Sequence, residues 1–172
     1  MIISTSKSWL LTALLCISLM AGAQQRANAV FHEVKNKEVV QSLFPKAEKI
    51  EKENNYWFRI LDGSKNLLGY AMSSMPFCKE VTGYNDNTPV MIITDAKLKI
   101  IKIALLSNWE TASYVQKLET KGFFKLWDNK NVKQAQKVQI DGYTGATMTA
   151  KAVDKNVQFL LDNGLKNLPE KK

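Results

Sequence analysis

The chain is poor in the residues that build most catalytic and metal centres. Its 172 residues include one histidine, His32, and two cysteines, Cys16 and Cys78. A single histidine near the start of the mature chain argues against a histidine-based catalytic relay and excludes a multi-histidine zinc site. There is no Cys-x-x-Cys-His haem motif, and two isolated cysteines provide neither a disulfide framework nor a thiol pair for redox work. We therefore predict no catalytic residues of these types and no metal site.

Long apolar runs are also missing, apart from one near the N-terminus. The run at residues 9–20 is shorter than the ~20 residues that a membrane-spanning helix needs. Lys7 precedes it, and small-x-small sequences follow at residues 21–23 and 27–29. This pattern predicts a signal peptide over residues 1–29, cleaved after residue 23 or 29, rather than a retained anchor. One domain of residues 30–172 then remains, and we expect it to be periplasmic or extracellular, with membrane association left open.

The positive charge of the chain is not concentrated in one segment. The formal net charge is +8, but the 24 lysines and arginines are spread over the whole sequence. No nucleic-acid-binding motif and no interleaved aromatic and basic stripe accompanies them. We therefore predict solvated basic faces, with some electrostatic steering toward acidic partners, and no nucleic-acid partner.

Turn signals and apolar periodicity predict an α+β fold. Strand-like runs at residues 56–61 and 67–72 flank one loop signal, and runs at residues 89–94 and 98–106 flank another. Two adjacent hairpins favour an antiparallel sheet over repeated βαβ units. Helices are predicted at residues 35–44, at two short segments between 111 and 127, and at about 148–163, with Gly164 as the C-terminal cap. The expected architecture is a twisted antiparallel sheet with flanking helices on one side and a C-terminal helix.

The segment from Asp141 to Thr149 carries the strongest functional signal. It lies between a strand-like run at residues 137–140 and the predicted C-terminal helix. Gly145 and Ala146 let the backbone approach a ligand closely, and the free N–H groups and positive dipole end of a helix start attract an anion. The segment also has a purely structural alternative, because Asp-Gly is an ordinary turn signal and hydroxyl side chains cap helices. The candidates for such a cap are Thr144, Thr147 and Thr149.

The full motif resembles the flavinylation motif of the FMN-binding domain family. Asp141 stands six residues before Thr147, Thr144-Gly145 lies between them, and Thr149 adds another hydroxyl. The family includes the C subunit of the sodium-pumping NADH:quinone reductase and the G subunit of the Rnf complex. The resemblance implies that a separate flavin transferase joins FMN covalently to Thr147 through a phosphoester bond. It also implies cofactor contacts for the neighbouring residues Thr144, Gly145, Ala146 and Met148.

The function implied by the resemblance is electron transfer. The chain would be an exported flavoprotein, working as a subunit or partner of other proteins rather than as a stand-alone enzyme. It shows no dinucleotide fingerprint for NADH, so its electrons would come from another protein. The donor and acceptor are unidentified and are expected to be membrane-associated. Two alternatives stay open: an exported module that holds FMN or another anion non-covalently without electron transfer, and a flavin-dependent reductase with a small substrate of its own.

The resemblance covers residues 67–161 and reaches a second candidate segment, Trp109-Glu110-Thr111. It implies that Glu110 and Thr111 lie near the flavin, although a strand-to-helix boundary with Thr111 as the N-cap would explain them equally well. Ala112-Ser113 and Asn85-Asp86 depart from the family pattern, in loops that could shape the pocket around the flavin ring. Three aromatic side chains could either stack on the ring or complete the core: Tyr84, Trp109 and Tyr114.

Overall fold

The computed structural model describes residues 30–140, 143 and 145–170. Its strands form one antiparallel sheet in the order β1-β2-β3-β4-β5, so each strand pairs with its neighbour in sequence. The elements are α1 (Asn36–Leu43), β1 (Lys49–Lys52), β2 (Phe58–Leu61), β3 (Leu67–Ser73), β4 (Val90–Asp95), β5 (Ile100–Leu105), α2 (Ala112–Thr120), a 3₁₀ helix (Phe123–Lys125), α3 (Val132–Ala135) and α4 (Thr147–Lys166). The predicted α+β class is confirmed.

The predicted signal peptide at residues 1–29 lies outside the described residues. Within the described part of the chain, no helix is both long enough and apolar enough to cross a membrane.

Strand β4 is buried on both faces, and this places helices on both sides of the sheet. Val90 and Ile92 join an apolar cluster with α2 and α4, whereas Met91 and Ile93 join a second cluster with two valines of α1. Successive side chains of a strand point to opposite faces, so α1 lies on the face opposite α4. The expectation that all helices cover one side is therefore wrong, because a strand with apolar residues at nearly every position needs cover on both faces.

Helix α4 packs on the sheet through apolar residues at helical spacing, and it continues past Gly164 to Lys166. The predicted C-terminal cap at Gly164 is therefore wrong. Gly164 is buried where Trp57 Nε1 donates to its carbonyl oxygen at 3.0 Å. A β-carbon added to Gly164 would lie 2.5 Å from Met72 Sδ and 3.2 Å from Trp57 Cζ2. This glycine permits close packing of α4 on the sheet and does not end the helix.

The segment before the proposed functional motif does not form the predicted strand. Residues 137–140 are irregular. The Val138 N–H donates to Ala135 O at 3.0 Å, and Val138 O accepts from Gln158 Nε2 at 3.2 Å. Val138 and Ile140 pack against the apolar cluster of α4. The strand prediction was wrong because apolar alternation also suits an irregular segment that packs on helices, which a periodicity argument does not distinguish.

Candidate functional site

A buried carboxylate organises one end of the molecule. Glu110 has 0% exposed surface, and no cationic side chain among the described residues forms an ion pair with it. Its Oε2 accepts from Thr149 Oγ1 at 2.5 Å. Its Oε1 accepts from the backbone N–H groups of Asn85 at 3.0 Å and of Asp86 at 3.4 Å. A buried carboxylate is costly unless hydrogen bonds satisfy it, so these three donors hold Glu110 in place.

The loop of residues 83–86 closes over this carboxylate. The Gly83 N–H donates to Asp86 O at 2.8 Å, and a β-carbon on Gly83 would lie 2.8 Å from Glu110 Cδ. Asn85 Nδ2 donates to Thr111 Oγ1 at 2.9 Å. Thr111 stands at the N-cap position of α2, but its side chain caps no backbone N–H. Thr111 therefore stands at a helix start, as expected if its role is structural. Its hydroxyl, however, accepts from the side chain of Asn85 in the loop and does not cap the helix.

The N-terminal segment supports Glu110 from another direction. The His32 N–H donates to Asn108 O at 2.8 Å, and the Asn108 N–H donates to His32 O at 3.2 Å. Asn108 Oδ1 accepts from the Glu110 N–H at 2.9 Å, and His32 Nε2 lies 3.2 Å from Glu110 O. These two residues fix the backbone of Glu110, while the loop and α4 fix its side chain. Neither role was predicted from the sequence, because these contacts join segments far apart in the chain.

Thr147 and Thr149 have different surroundings at the start of α4. Thr149 is fully buried, and its hydroxyl donates a hydrogen bond to Glu110. Thr147 is the first residue of the helix and is half-buried, and its Oγ1 donates to Tyr143 O at 2.8 Å. The N-cap residue is Ala146, so no side chain caps this helix in the described part of the chain. Positions two residues apart on a helix differ by about 200° round its axis, which explains why one hydroxyl faces the core and the other does not.

Gly145 turns the chain into α4 beside a lysine. Its φ is +86°, in the region that favours glycine. A β-carbon built on Gly145 would lie 3.1 Å from Lys117 Nζ. The same Nζ lies 5.7 Å from the centre of the Tyr114 ring, and that ring packs edge-on against Tyr84 with centroids 4.9 Å apart. Lys117 was not predicted from the sequence, although its spacing of three residues from Tyr114 on a predicted helix places both on one face.

Large apolar side chains remain exposed at this end of the molecule. Trp109 is 48% exposed and Met148 is 54% exposed. Trp109 packs against Phe31, which is 46% exposed, with ring centroids 4.7 Å apart. Exposed apolar groups beside a polar centre are typical of a binding surface. Of the three aromatic candidates, Trp109 keeps the most open surface, whereas Tyr84 and Tyr114 contact each other.

A cavity of about 740 Å³ runs along β5, and Glu110 does not line it. Its walls include Val115 and Phe124, and it shares His32 and Asn108 with the surroundings of Glu110. No residue from 145 to 149 lines it. The polar contacts at the start of α4, rather than the size of this cavity, therefore define the candidate site.

The candidate residues from the sequence occupy two adjoining segments of the centre. Gly145, Ala146, Thr147 and Met148 form the turn into α4. Glu110 and Thr111 connect this turn to the loop of residues 83–86, through Thr149 and Asn85. The remaining candidate, Thr144, lies outside the described residues together with Asp141 and Gly142.

Apart from the N-terminal segment at His32, the segments that surround Glu110 fall within one recognised domain. The family model of the FMN-binding domain matches residues 83–162, from the loop over Glu110 to the later turns of α4. These residues belong to the FMN-binding domain family. The match confirms the resemblance seen in the sequence, although it begins at residue 83 rather than 67. A comparison of the chain with curated proteins finds no match. Membership identifies a flavin-binding domain with FMN as its cofactor.

The residues at the start of α4 suit the phosphate of FMN. Gly145 leaves the backbone open at the point where a β-carbon would approach Lys117 Nζ, and Lys117 supplies positive charge there. No described side chain caps α4, and the N–H groups of a helix's first turn are donors that an anion can accept from. A cation and backbone N–H groups are donors that suit phosphate oxygens. Trp109 and Met148 offer the apolar surface that an aromatic ring system needs.

Proposed function

We propose that this protein is an exported flavoprotein that carries electrons on FMN esterified to Thr147. The contrast between two threonines is the observation that carries the proposal. Thr149 is fully buried and donates its hydroxyl to Glu110. Thr147 is half-buried, follows Gly145 by two residues and begins α4, a helix that no described side chain caps. Of these two hydroxyls, that of Thr147 belongs to a partly exposed residue and lies in surroundings that suit a phosphate.

The attachment step joins the Thr147 oxygen to the phosphorus of FMN. The hydroxyl loses its proton, and a leaving group departs from the phosphorus as the new P–O bond forms. The phosphate group of FMN itself carries no good leaving group. The donor would therefore be a flavin dinucleotide, which releases a nucleoside monophosphate. We assign this step to a separate flavin transferase. The product loses the Thr147 hydrogen bond to Tyr143 O, because an ester oxygen has no proton to donate.

Bound FMN supplies the redox chemistry, because it accepts and releases one or two electrons. The residues of the chain hold and tune it. Glu110 ties the start of α4 to the loop of residues 83–86 through the bonds of Thr149, Asn85 and Asp86. A cofactor mounted on a packed helix is held in a more defined position than one mounted on loops alone. The carboxylate also contributes to the electrostatic surroundings of the flavin.

Electron donors and acceptors of this domain are other proteins in this proposal. The chain has no dinucleotide fingerprint for NADH, so it depends on a donor that supplies electrons and an acceptor that removes them. We expect both partners at the membrane. The sequence of residues 1–29 supports export. Outside the cytoplasm a covalent bond has a clear advantage, because FMN that dissociates there is lost by diffusion.

A non-covalent binding module is the second candidate. It would use Lys117 and the start of α4 to hold FMN or another anion without an ester bond. One observation favours it: the Thr147 hydroxyl already has an acceptor in Tyr143 O, and this bond survives only without esterification. The absorption spectrum separates the candidates. Yellow colour that survives denaturation indicates covalent flavin, colour lost on denaturation indicates a binding module, and steady turnover with a soluble acceptor indicates a reductase.

The deciding experiment is expression with and without a flavin transferase, followed by intact-mass measurement. We expect a mass increase equal to one esterified FMN only in the presence of the transferase. Thr147→Ser is the matched control, because it keeps the hydroxyl and should still accept the flavin. A chain that gains no mass with an active transferase would exclude covalent attachment and leave the binding module. A transferase that modifies a known substrate in the same cells serves as the positive control.

A further inference from the structure

Lys117 of α2 is an exposed lysine that lies beside the turn into α4. Its side chain leaves α2 and runs beside the Tyr114 ring, with Nζ 5.7 Å from the ring centre. The same Nζ lies 3.1 Å from the β-carbon position of Gly145, and Lys117 Cδ lies 3.7 Å from it. The edge-on contact with Tyr84 in turn fixes the Tyr114 ring. The ammonium group is thus directed at the turn that enters α4.

This arrangement places two positive potentials together. The first turn of α4 carries the positive end of the helix dipole, and no described side chain caps it. No carboxylate among the described residues forms an ion pair with Lys117. An ammonium group and a helix N-terminus repel each other, and an anion bound between or beside them relieves this repulsion. The geometry therefore favours a negative partner that the described residues do not supply.

We propose that Lys117 binds the phosphate of FMN and makes the domain select the phosphorylated flavin over riboflavin. The inference rests on the proposed function, because it places the phosphate at the turn between Gly145 and Thr147. Tyr114 is the positioning residue, since its ring directs the lysine toward Gly145. The family motif in the sequence does not include Lys117, which comes from a different helix.

The test uses a Thr147→Ala protein, to which FMN can bind only non-covalently. Quenching of flavin fluorescence gives the dissociation constants of free FMN and of free riboflavin. We expect Lys117→Gln to weaken FMN binding roughly 3- to 10-fold, as loss of one charge-assisted contact at a partly screened site predicts, and to leave riboflavin binding unchanged. Lys117→Arg should keep most of the FMN affinity. Lys133→Gln, at an exposed lysine on α3, is the matched control and should change neither constant.

Two further measurements test the contact between Lys117 and the phosphate. The difference in FMN affinity between proteins with and without the Lys117→Gln substitution should shrink as salt rises, because screening weakens a surface charge contact. In covalently loaded protein with Thr147 intact, Lys117→Gln should shift the ³¹P resonance of the phosphodiester, and Lys133→Gln should not. Equal FMN affinities together with an unshifted ³¹P resonance would overturn the role of Lys117.

The outcomes also separate this inference from the proposed function. A chain that carries no ester but loses FMN affinity on Lys117→Gln would refute covalent attachment and support the phosphate contact. A chain that carries the ester with identical affinities and ³¹P resonances in all variants would support attachment and refute the contact. Absence of both the ester and any FMN binding would refute both.

Discussion

Removing one hydroxyl at a time should separate flavin attachment from stability at the start of α4. Thr147→Ala removes a half-buried hydroxyl that donates one hydrogen bond, to Tyr143 O at 2.8 Å. A bond of this kind contributes about 0.5–1.5 kcal/mol to the free energy of unfolding, and partial exposure favours the lower half of that range. We therefore expect the Thr147→Ala protein to lose all covalent flavin while it loses only a small part of its stability.

Thr149→Ala should have the opposite effect. It removes a fully buried donor and leaves Glu110 Oε2 without its 2.5 Å partner. An unsatisfied buried acceptor costs about 1–3 kcal/mol, and a charged one lies toward the upper end. For a domain of this size each kcal/mol lowers Tm by roughly 2–4 °C, so the loss of about 2–3 kcal/mol should lower Tm by about 4–12 °C. Covalent flavin should remain, and Thr149→Ser should restore most of the stability because it keeps the donor.

Fluorescence of a denaturing gel under ultraviolet light and thermal unfolding of the same preparations measure both effects. Undiminished gel fluorescence in the Thr147→Ala protein would falsify Thr147 as the anchor and move it to another residue. A Thr149→Ala protein as stable as the parent would mean that the bond between Thr149 and Glu110 contributes nothing to folding. Loss of flavin in both variants, with stability lost only in the second, would show that the transferase also needs an ordered helix start.

Three further outcomes are expected. Glu110→Gln should keep flavin attachment and raise the midpoint potential of the flavin, because a nearby negative charge no longer opposes the electron-rich reduced form. A spectroelectrochemical titration measures the potential, and an unchanged value would place the Glu110 charge out of reach of the ring. Gly164→Ala should lower the free energy of unfolding by about 1–2 kcal/mol, because crowding against Met72 and Trp57 exceeds the helix-propensity gain of about 1 kcal/mol. Urea unfolding measures this change, and a more stable variant would show that the Met72 side chain moves aside. N-terminal sequencing of exported protein should find Gln24 or Val30, whereas recovery of Met1 in a membrane fraction would indicate a retained anchor.

The sheet was predictable because its signals are local. Each predicted hairpin has apolar runs on both sides of a turn signal, and the structure has β2–β3 and β4–β5 at these places. β1 was missed because its sequence, Lys-Ile-Glu-Lys, is charged and mostly exposed, as an edge strand can be. The side of the sheet that α1 covers was also missed. That choice depends on how β4 is buried, which its short apolar run does not reveal.

The site was predictable only in part, for a different physical reason. The helical spacing of residues 148–163 places Thr149 on the same face as the buried Val153 and Val157, so its burial could be predicted from the sequence. Its partner Glu110 lies 39 residues earlier in the chain and could not be predicted in the same way. Lys117 and Asn108 contribute through contacts between distant segments, and no short-range pattern predicts such contacts.

The departure from the family pattern at Asn85-Asp86 has a structural consequence. The two bonds that Glu110 receives from this loop come from backbone N–H groups, which glycines would also provide. The Asn85 side chain adds a third bond, from Nδ2 to Thr111 Oγ1 at 2.9 Å, which a glycine cannot make. This bond ties the loop to the start of α2, the helix that carries Tyr114 and Lys117. The departure thus leaves the support of Glu110 intact and adds a second connection, from the loop through α2 to the turn at Gly145.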